Sequence, residues 1–349
     1  MKICILGPIT TASYFGGVAS FDEDLAMGFH QNGHDVAIVT SQKDTNKKLL
    51  NGHIPVITVR SKHDFCKWQE IEKPELIIGS LAYPRLLSQR WCENTKVIYF
   101  LHGYFTRSYY GFLKSTFASI YQKHLAQKAD YIFANSHFTS MINREFFGIK
   151  AHKAIHLGVS EDFYKQSASF GINDKEQGTI LFVGRLVSAK GVNKLIDAAK
   201  ILSDRGIAYR IQIAGDGPER TKLEEYARKN SLSVNFLGKI DHKQISELYR
   251  YSEVFVSLNP SEPFGITFVE ALLSNCKILC PETGGQVEFL RHWYESVAFV
   301  EESSAMCIAD GIMKLFAKGE YPELSNEERA TYSYKSIATA ISDFVEERR

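Results

Sequence analysis

The sequence predicts an α/β protein of two doubly wound domains facing each other across a cleft, and three observations lead there. The chain has 349 residues, more than one hydrophobic core usually organises, so two domains of roughly 150 to 180 residues are expected. Short apolar runs alternate with segments of helical period, the pattern of parallel sheets covered by helices on both faces. That alternation stops in a polar stretch near the middle and then starts again.

Taken in order, KICILGP is a first strand, followed by a glycine-containing loop and a helix with Phe21, Leu25 and Phe29 on one face. HDVAIVT is the second strand, and IPVITV, ELIIGS, KVIYFLHG and ADYIFANS continue the series, with helical stretches between the later ones. The polar, weakly periodic SEDFYKQSASFGINDKEQG carries turn-forming residues and marks the boundary. The expected organisation is a first domain over 1–160, a linker over 161–178 and a second domain over 179–330. The second series runs TILFVGR, a helix at NKLIDAAKILSDRG, YRIQIAGDG, a helix through EEYARKN, VNFLGKI, a helix at QISELYRYS, and VFVSLNP. In the tail, 331–349, Ile337, Ile341, Phe344 and Val345 form an apolar stripe at helical spacing. That helix needs a surface to cover, and the first domain is the expected one.

Composition excludes several function classes. With 23% charged residues and a net charge of +1, a nucleic-acid binder relying on bulk charge is not expected. Cys4, Cys66, Cys92, Cys276, Cys280 and Cys307 form no CxxC pair and sit in apolar surroundings, as reduced thiols of a cytoplasmic protein do. MKICILGPI reads as a strand and not as a signal peptide, and no stretch reaches membrane-spanning length. The expected location is the cytoplasm or a membrane face.

Ligand loops of parallel sheets lie at the carboxyl ends of the strands. Arg185 directly follows TILFVG, and Lys190 with Gly191 opens the next helix, where the helix dipole opposes a cation. Both positions suit an anion. Glycine turns at Gly16-Gly17, Gly215-Asp216-Gly217 and Gly284-Gly285 allow backbone to approach a ligand. GPITTASYFGG lacks the GxGxxG fingerprint, which disfavours a nicotinamide or flavin oxidoreductase, and no Walker A sequence is present. In SEPFGITFVEA, Pro260 has stopped the preceding strand and a helix begins near Gly265, with Phe268, Ala271 and Leu272 toward the core. Glu262 then lies in the loop and Glu270 more than a turn inside the helix. Free N–H groups at the helix start suit a phosphate, and carboxylates beside it accept hydrogen bonds from ribose or sugar hydroxyls. Hydroxyl-rich ends around one diphosphate describe a nucleotide sugar.

GRLVSAKG (184–191), GDGPE (215–219), SEPFGITFVEA (261–271) and TGGQVE (283–288) stand in this order. With them the chain resembles, over nearly its whole length, the retaining glycosyltransferases of family 4, whose two Rossmann-like domains form the GT-B architecture. Glu262 and Glu270 meet that family's E-x7-E element. The resemblance implies that Arg185 and Lys190 neutralise the leaving diphosphate, helped by the backbone at Gly265 and Ile266 and by Gly16 and Gly17 of the other domain, with Phe264 also on the donor side. It implies Glu270 on the ribose, Glu262 facing the hexose, His102 near the donor sugar, and Asp216, Gly238 and Ile240 toward the base. Asn135 and Ser136 match a second cleft-facing loop.

No metal and no cofactor beyond the nucleotide sugar are implied. Asp22 and Asp24 form a DxD, but at a predicted helix start acidic residues are stabilising without an ion. A UDP-sugar is favoured over a GDP-sugar. The implied activity moves a hexose or N-acetylhexosamine to a hydroxyl of a glycan or lipid-linked acceptor in surface polysaccharide or glycoconjugate assembly. An inactive nucleotide-sugar-binding subunit of the same fold is the alternative. For retention, front-face attack and a covalent intermediate on Glu262 both remain open.

Residues 94–129 contain no acid, with Lys96, Arg107, Lys114, Lys123 and Lys128 among Tyr109, Tyr110, Phe112, Phe117 and Tyr121. Residues 104–128 accordingly read as a basic amphipathic face resting on the inner, anionic side of a membrane, as a half-buried helix with a solvated basic side, or with the aromatics stacking on a sugar acceptor.

Overall fold

The computed structural model describes residues 1–11, 16–43, 47–87, 95–105, 111–301 and 304–348. The backbone gathers into two compact units, Met1–Glu161 with Ala330–Arg349, and Asp162–Arg329.

The first unit is built on β1 (Lys2–Leu6), α1 (Gly17–Gln31), β2 (Asp35–Thr40), β3 (Leu49–Leu50), β4 (Ile54–Thr58), α2 (Lys62–Glu72), β5 (Leu76–Ser80), β6 (Lys96–Leu101), α3 (Phe112–Ala126), β7 (Tyr131–Ala134), α4 (His137–Phe147) and β8 (Lys153–Ala154). Among the described residues its sheet has the order β3-β4-β2-β1-β5-β6-β7-β8. All pairings are parallel except β3 with β4. Ile3 to Leu6 are buried on both faces, which is why the central strand reads as an unbroken apolar run. Serine side chains start two of the helices by accepting a backbone N–H, Ser61 from Asp64 for α2 and Ser136 from Thr139 for α4.

The second unit follows with α5 (Glu161–Ser167), β9 (Glu176–Val183), α6 (Val192–Asp204), β10 (Arg210–Ala214), α7 (Arg220–Lys229), β11 (Val234–Gly238), α8 (His242–Tyr251), β12 (Ser252–Val256), α9 (Ile266–Leu273), β13 (Lys277–Pro281), α10 (Val287–Leu290), β14 (Val297–Val300), α11 (Ala305–Ala317) and α12 (Asn326–Thr331). Its sheet, among the described residues, runs β11-β10-β9-β12-β13-β14, every pairing parallel. Ile180, Phe182, Leu195, Ile196, Ile213 and Val254 belong to the core between this sheet and its helices.

The expected linker over 161–178 is largely ordered structure. Residues 161–167 form α5, and β9 begins at Glu176. Its polarity misled because several of its polar groups are held by partners: Asp174 pairs with Arg250 at 3.0 Å, Lys175 Nζ donates to Tyr249 O at 2.8 Å, and the backbone N–H of Gly178 donates to Glu253 Oε2 at 2.7 Å.

The last helix, α13 (Tyr334–Glu346), belongs to the first unit and packs on α1. Ile337, Ile341, Phe344 and Val345 are buried. The approach is close at Gly28, where a Cβ would fall 2.2 Å from Tyr334 O. Asn32 Nδ2 donates to Lys335 O at 3.0 Å, and Phe344 meets the rings of Tyr131 and Phe133 edge-on.

Each sheet reverses its winding once. In the first unit the chain moves outward from β1 to β2 and returns on the other side with β5; in the second it moves from β9 to β10 and β11 and returns with β12. Loops leaving the carboxyl ends of such a strand pair diverge and leave a crevice. The loops after β1, β5 and β6 are thereby gathered in one unit, and those after β9, β12 and β13 in the other.

Candidate active site

In the second unit the loops lock together through backbone. Leu186 N donates to Asp216 O at 2.9 Å and Glu219 N to Leu186 O at 3.2 Å, joining the loop after β9 to that after β10. Gly215 makes this possible, because a Cβ there would sit 1.9 Å from Gly184 O, at a φ of 143°. The loops after β12 and β13 join in the same way: Gly285 N donates to Glu262 O at 2.8 Å, and a Cβ on Gly285 would meet Pro263 O at 2.0 Å. The sequence motifs GRLVSAKG, GDGPE, SEPFG and TGG are therefore pairs of interlocked loops along one sheet edge.

Charged groups sit on this frame. Lys190 ends a short 3-10 turn, Ser188–Lys190, just before α6, and its Nζ donates to Glu262 Oε2 at 2.6 Å. Asn259 Nδ2 donates to the same oxygen at 2.9 Å. The unfavourable placement of Lys190 against the helix dipole is thus compensated by a carboxylate from the loop after β12. Arg185 is exposed, and among the described residues its guanidinium has no hydrogen bond or ion pair. One cation is free and the other is held by an exchangeable partner, which is the arrangement an incoming anion needs.

Glu270 is the fifth residue of α9, and burial pushes its pKa up to about 7, with a hydrogen bond from Tyr249 pulling the other way. The Tyr249 phenol, itself buried, is also 3.2 Å from Thr267 O. A carboxyl poised at that point can accept from or donate to a hydroxyl near neutral pH. The helix opens at Gly265 and Ile266 with no side-chain cap, leaving its first N–H groups for a ligand.

The other expected base-side and donor-side residues have structural partners as well. Asp216 is exposed, with Oδ1 accepting from Gly217 N at 2.8 Å and Oδ2 3.8 Å from Arg220. Gly238 closes β11 and its carbonyl accepts from Gly215 N at 2.8 Å, while Ile240 is half-buried in the following loop. Phe264 is 1% exposed and packs on Phe289, at 5.1 Å between ring centroids, so its side chain serves the packing behind the loop.

In the first unit Gly16 is the extended N-cap of α1 and Gly17 its first residue, with open space where a Cβ would be. His102 follows β6. Its ring stacks on Phe100 at 5.0 Å and meets Phe21 edge-on at 4.7 Å, and burial holds its pKa down to about 3, so the imidazole is neutral. Nε2 lies 3.0 Å from Ser80 Oγ, which lies 2.6 Å from Asp22 Oδ1.

Two readings from the sequence are corrected here. Asp22 is not a helix-start charge, since α1 begins at Gly17 and has no acid in its first turn; Asp22 is fully buried at its middle. Ser136 is spent on capping α4, and Asn135 Nδ2 donates to His102 O at 2.9 Å, so both support the loop from behind. Sequence reasoning also missed Asn259 behind Glu262, Tyr249 behind Glu270 and Ser80 behind His102. Tyr249 alone left a signal, a phenol on the apolar face of a helix that requires a partner for its hydroxyl.

Two family models match the chain in succession, Glycosyltransferase Family 4 over residues 15–163 and Glycosyl transferases group 1 over residues 164–335. The chain belongs to glycosyltransferase family 4. An uncharacterised glycosyltransferase of Methanocaldococcus jannaschii is 24% identical over 97% of this chain and 96% of its own length. Among solved structures, sucrose-phosphate synthase from Thermosynechococcus elongatus superposes with a TM-score of 0.78 at 18% identity, covering 99% of both chains. An Anabaena protein solved with UDP and glucose superposes with a TM-score of 0.71 at 18% identity, over 100% of this chain and 99% of that one. At such identity these two similarities establish the fold, which is GT-B, with two parallel-sheet Rossmann-like domains.

Proposed function

We propose that this glycosyltransferase moves a hexose or N-acetylhexosamine from a nucleoside diphosphate to a hydroxyl of a glycan or lipid-linked acceptor, with retention at the anomeric carbon and without a metal. The observation that carries the reading is the Lys190–Glu262 pair together with Arg185, which has no partner among the described residues. Breaking the anomeric bond places growing negative charge on the diphosphate, and fixed cations are the groups that stabilise it. Lys190 exchanges its carboxylate partner for a phosphate oxygen, joining Arg185 and the N–H groups at the start of α9. Glu262, still held by Asn259, is then released toward the sugar hydroxyls, and Glu270 takes the ribose. In front-face attack the acceptor oxygen bonds to the anomeric carbon on the face the diphosphate leaves, and a phosphate oxygen takes the acceptor's proton. The UDP in the Anabaena neighbour favours a uridine donor.

The acceptor side rests on α3 and α4. Leu113, Phe117, Ile120 and Tyr121 lie along one face of α3, 44% or more exposed, and Phe146 of α4 is 73% exposed. A cavity of about 720 Å³ between these helices is lined by Tyr104, Phe105, Ile120, Lys123 and Phe147 among others. An apolar face of this size with Lys114 and Lys123 beside it fits an anionic lipid surface on the inner side of a membrane. Of the basic-aromatic segment, Arg107, Tyr109 and Tyr110 lie outside the described residues.

The first test is thermal unfolding against UDP, GDP and ADP, then turnover of the matching sugar nucleotides with the anomeric configuration of the product read by NMR. One nucleoside diphosphate at a hundredfold over its Kd adds about 2.7 kcal/mol, which selects the base. A product of inverted configuration refutes retention, trapped sugar on Glu262 refutes front-face attack, and binding without turnover identifies an inert subunit. Flotation with anionic vesicles, lost on Phe117→Ser with Lys114→Glu, tests the membrane face.

A further inference from the structure

Asp22 stands where a helix packed on a sheet ordinarily carries an apolar residue. It is fully buried, its Oδ2 has no hydrogen-bond partner among the described residues, and room for it is kept by Gly7, where a Cβ would fall 1.9 Å from that oxygen. Its Oδ1 begins a line of polar atoms, 2.6 Å to Ser80 Oγ and 3.0 Å onward to His102 Nε2. The three residues come from α1, the end of β5 and the loop after β6, converging where the first sheet reverses its winding. Beyond the line, His102 Nδ1 makes no hydrogen bond among the described residues.

We infer that Asp22 and Ser80 are positioning residues that decide which ring nitrogen of His102 carries the proton, and so whether Nδ1 donates to or accepts from an oxygen of the bound sugar. The inference rests on the reading that His102 faces the donor sugar. The tautomer of an imidazole is set by the hydrogen bond made at its other nitrogen. With Asp22 protonated, its Oδ1–H donates to Ser80 Oγ, the Ser80 hydroxyl donates to Nε2, and Nδ1 carries the ring proton as a donor. With Asp22 ionised, or carrying its proton on Oδ2, the line reverses: Ser80 donates to Oδ1, Nε2–H donates to Ser80, and Nδ1 becomes a bare acceptor.

Surroundings select the first state. A buried carboxylate with an orphan oxygen is costly, and the protein avoids it by keeping the proton. The proton sits on Oδ1, where Ser80 Oγ can accept it, because no acceptor among the described residues lies within reach of Oδ2. Among the described residues the titratable and charged groups facing Asp22 are Glu23 on α1, which opposes its ionisation and is itself paired with Lys47, Tyr83 from the turn after β5, and neutral His102. Burial is the largest influence, with the Ser80 hydrogen bond acting against it.

The test is nitrogen NMR of the full chain with labelled histidine, the His102 signals being assigned by their absence in His102→Asn. In the wild type at pH 7 the expected state is Nδ1–H with bare Nε2. Asp22→Asn keeps it, because the amide donates to Ser80 in the same sense, whereas Ser80→Ala lets the ring revert to Nε2–H, the form imidazole prefers in water. Loss of one oriented hydrogen bond lowers kcat/KM for the donor by about tenfold in Ser80→Ala, with Asp22→Asn retaining most activity. An Nε2–H ring in the wild type at pH 7, which needs no variant to observe, overturns the inference, as does an unchanged tautomer in Ser80→Ala. A tautomer that follows expectation while Ser80→Ala keeps wild-type kcat/KM leaves the relay standing and places His102 away from the donor sugar.

Discussion

Replacing Glu270 with glutamine removes a titration while keeping the side chain's shape and its hydrogen bond with Tyr249. Burial raises the folded-state pKa from an ordinary 4.5 to about 7. As pH rises past 4.5 the unfolded chain releases this proton first, so the wild type loses stability from there up to about pH 7 and is level beyond. At about 1.4 kcal/mol per pKa unit the loss is at most about 3 kcal/mol, an upper bound because part of the residue reaches solvent. Glutamine titrates in neither state. Glu270→Gln should therefore match the wild type at pH 4 and exceed it by up to about 3 kcal/mol at pH 8, a shift of roughly 6 to 12 °C in the melting of a unit this size. Urea unfolding at pH 4, 6 and 8 measures the difference directly. The same difference at pH 4 and pH 8, or a variant less stable than the wild type at pH 8, would show that the carboxyl is not held neutral by burial. The gain is expected to come with weaker nucleotide binding, about tenfold for one lost charge-assisted hydrogen bond.

Arg185→Ala and Lys190→Ala should each lower kcat/KM by about 10²- to 10³-fold; Arg185→Ala should leave the melting temperature unchanged, since its side chain is exposed and pairs with none of the described residues, and steady-state kinetics with a thermal scan checks both. Lys277 Nζ donates to Glu253 Oε1 at 2.9 Å and to the carbonyls of Leu315 and Lys318 at 2.8 and 2.6 Å. Lys277→Ala strands the buried Glu253 at a cost of about 3 to 5 kcal/mol, and Lys277→Met with Glu253→Leu recovers most of it in urea melts. Gly215→Ala pushes the loops after β9 and β10 apart, with a stability loss of about 1 to 3 kcal/mol and a larger fall in turnover.

Legibility followed how local the cause was. Each strand read from KICIL to VFVSL lies where its apolar run lies, most plainly for central strands such as β1, β5 and β12, because a strand buried on both faces needs little beyond its own residues. The oddity of Lys190 was visible as a cation against a helix dipole, but its partner was not, since Glu262 arrives from a loop 72 residues away. β13 escaped the reading because Lys277, which looks like a surface residue, is buried among acceptors from α11 and beyond. Asp22 was misread for want of a boundary: with the helix start placed near Phe21 it is an ordinary first-turn acid, while with the start at Gly17 it points inward.

The return of α13 to the first unit sets an order of completion during synthesis. Nearly half of the chain is translated between residue 161 and the tail, which takes about 8 to 34 s at roughly 5–20 residues per second. Through that interval the surface of α1 that receives Tyr334 and its neighbours stands bare, so the unit begun first is finished last. A fragment ending at 161 inherits this unfinished face. A hybrid that exchanges the second unit with a relative's must leave residues 330–349 with the partner on which they close.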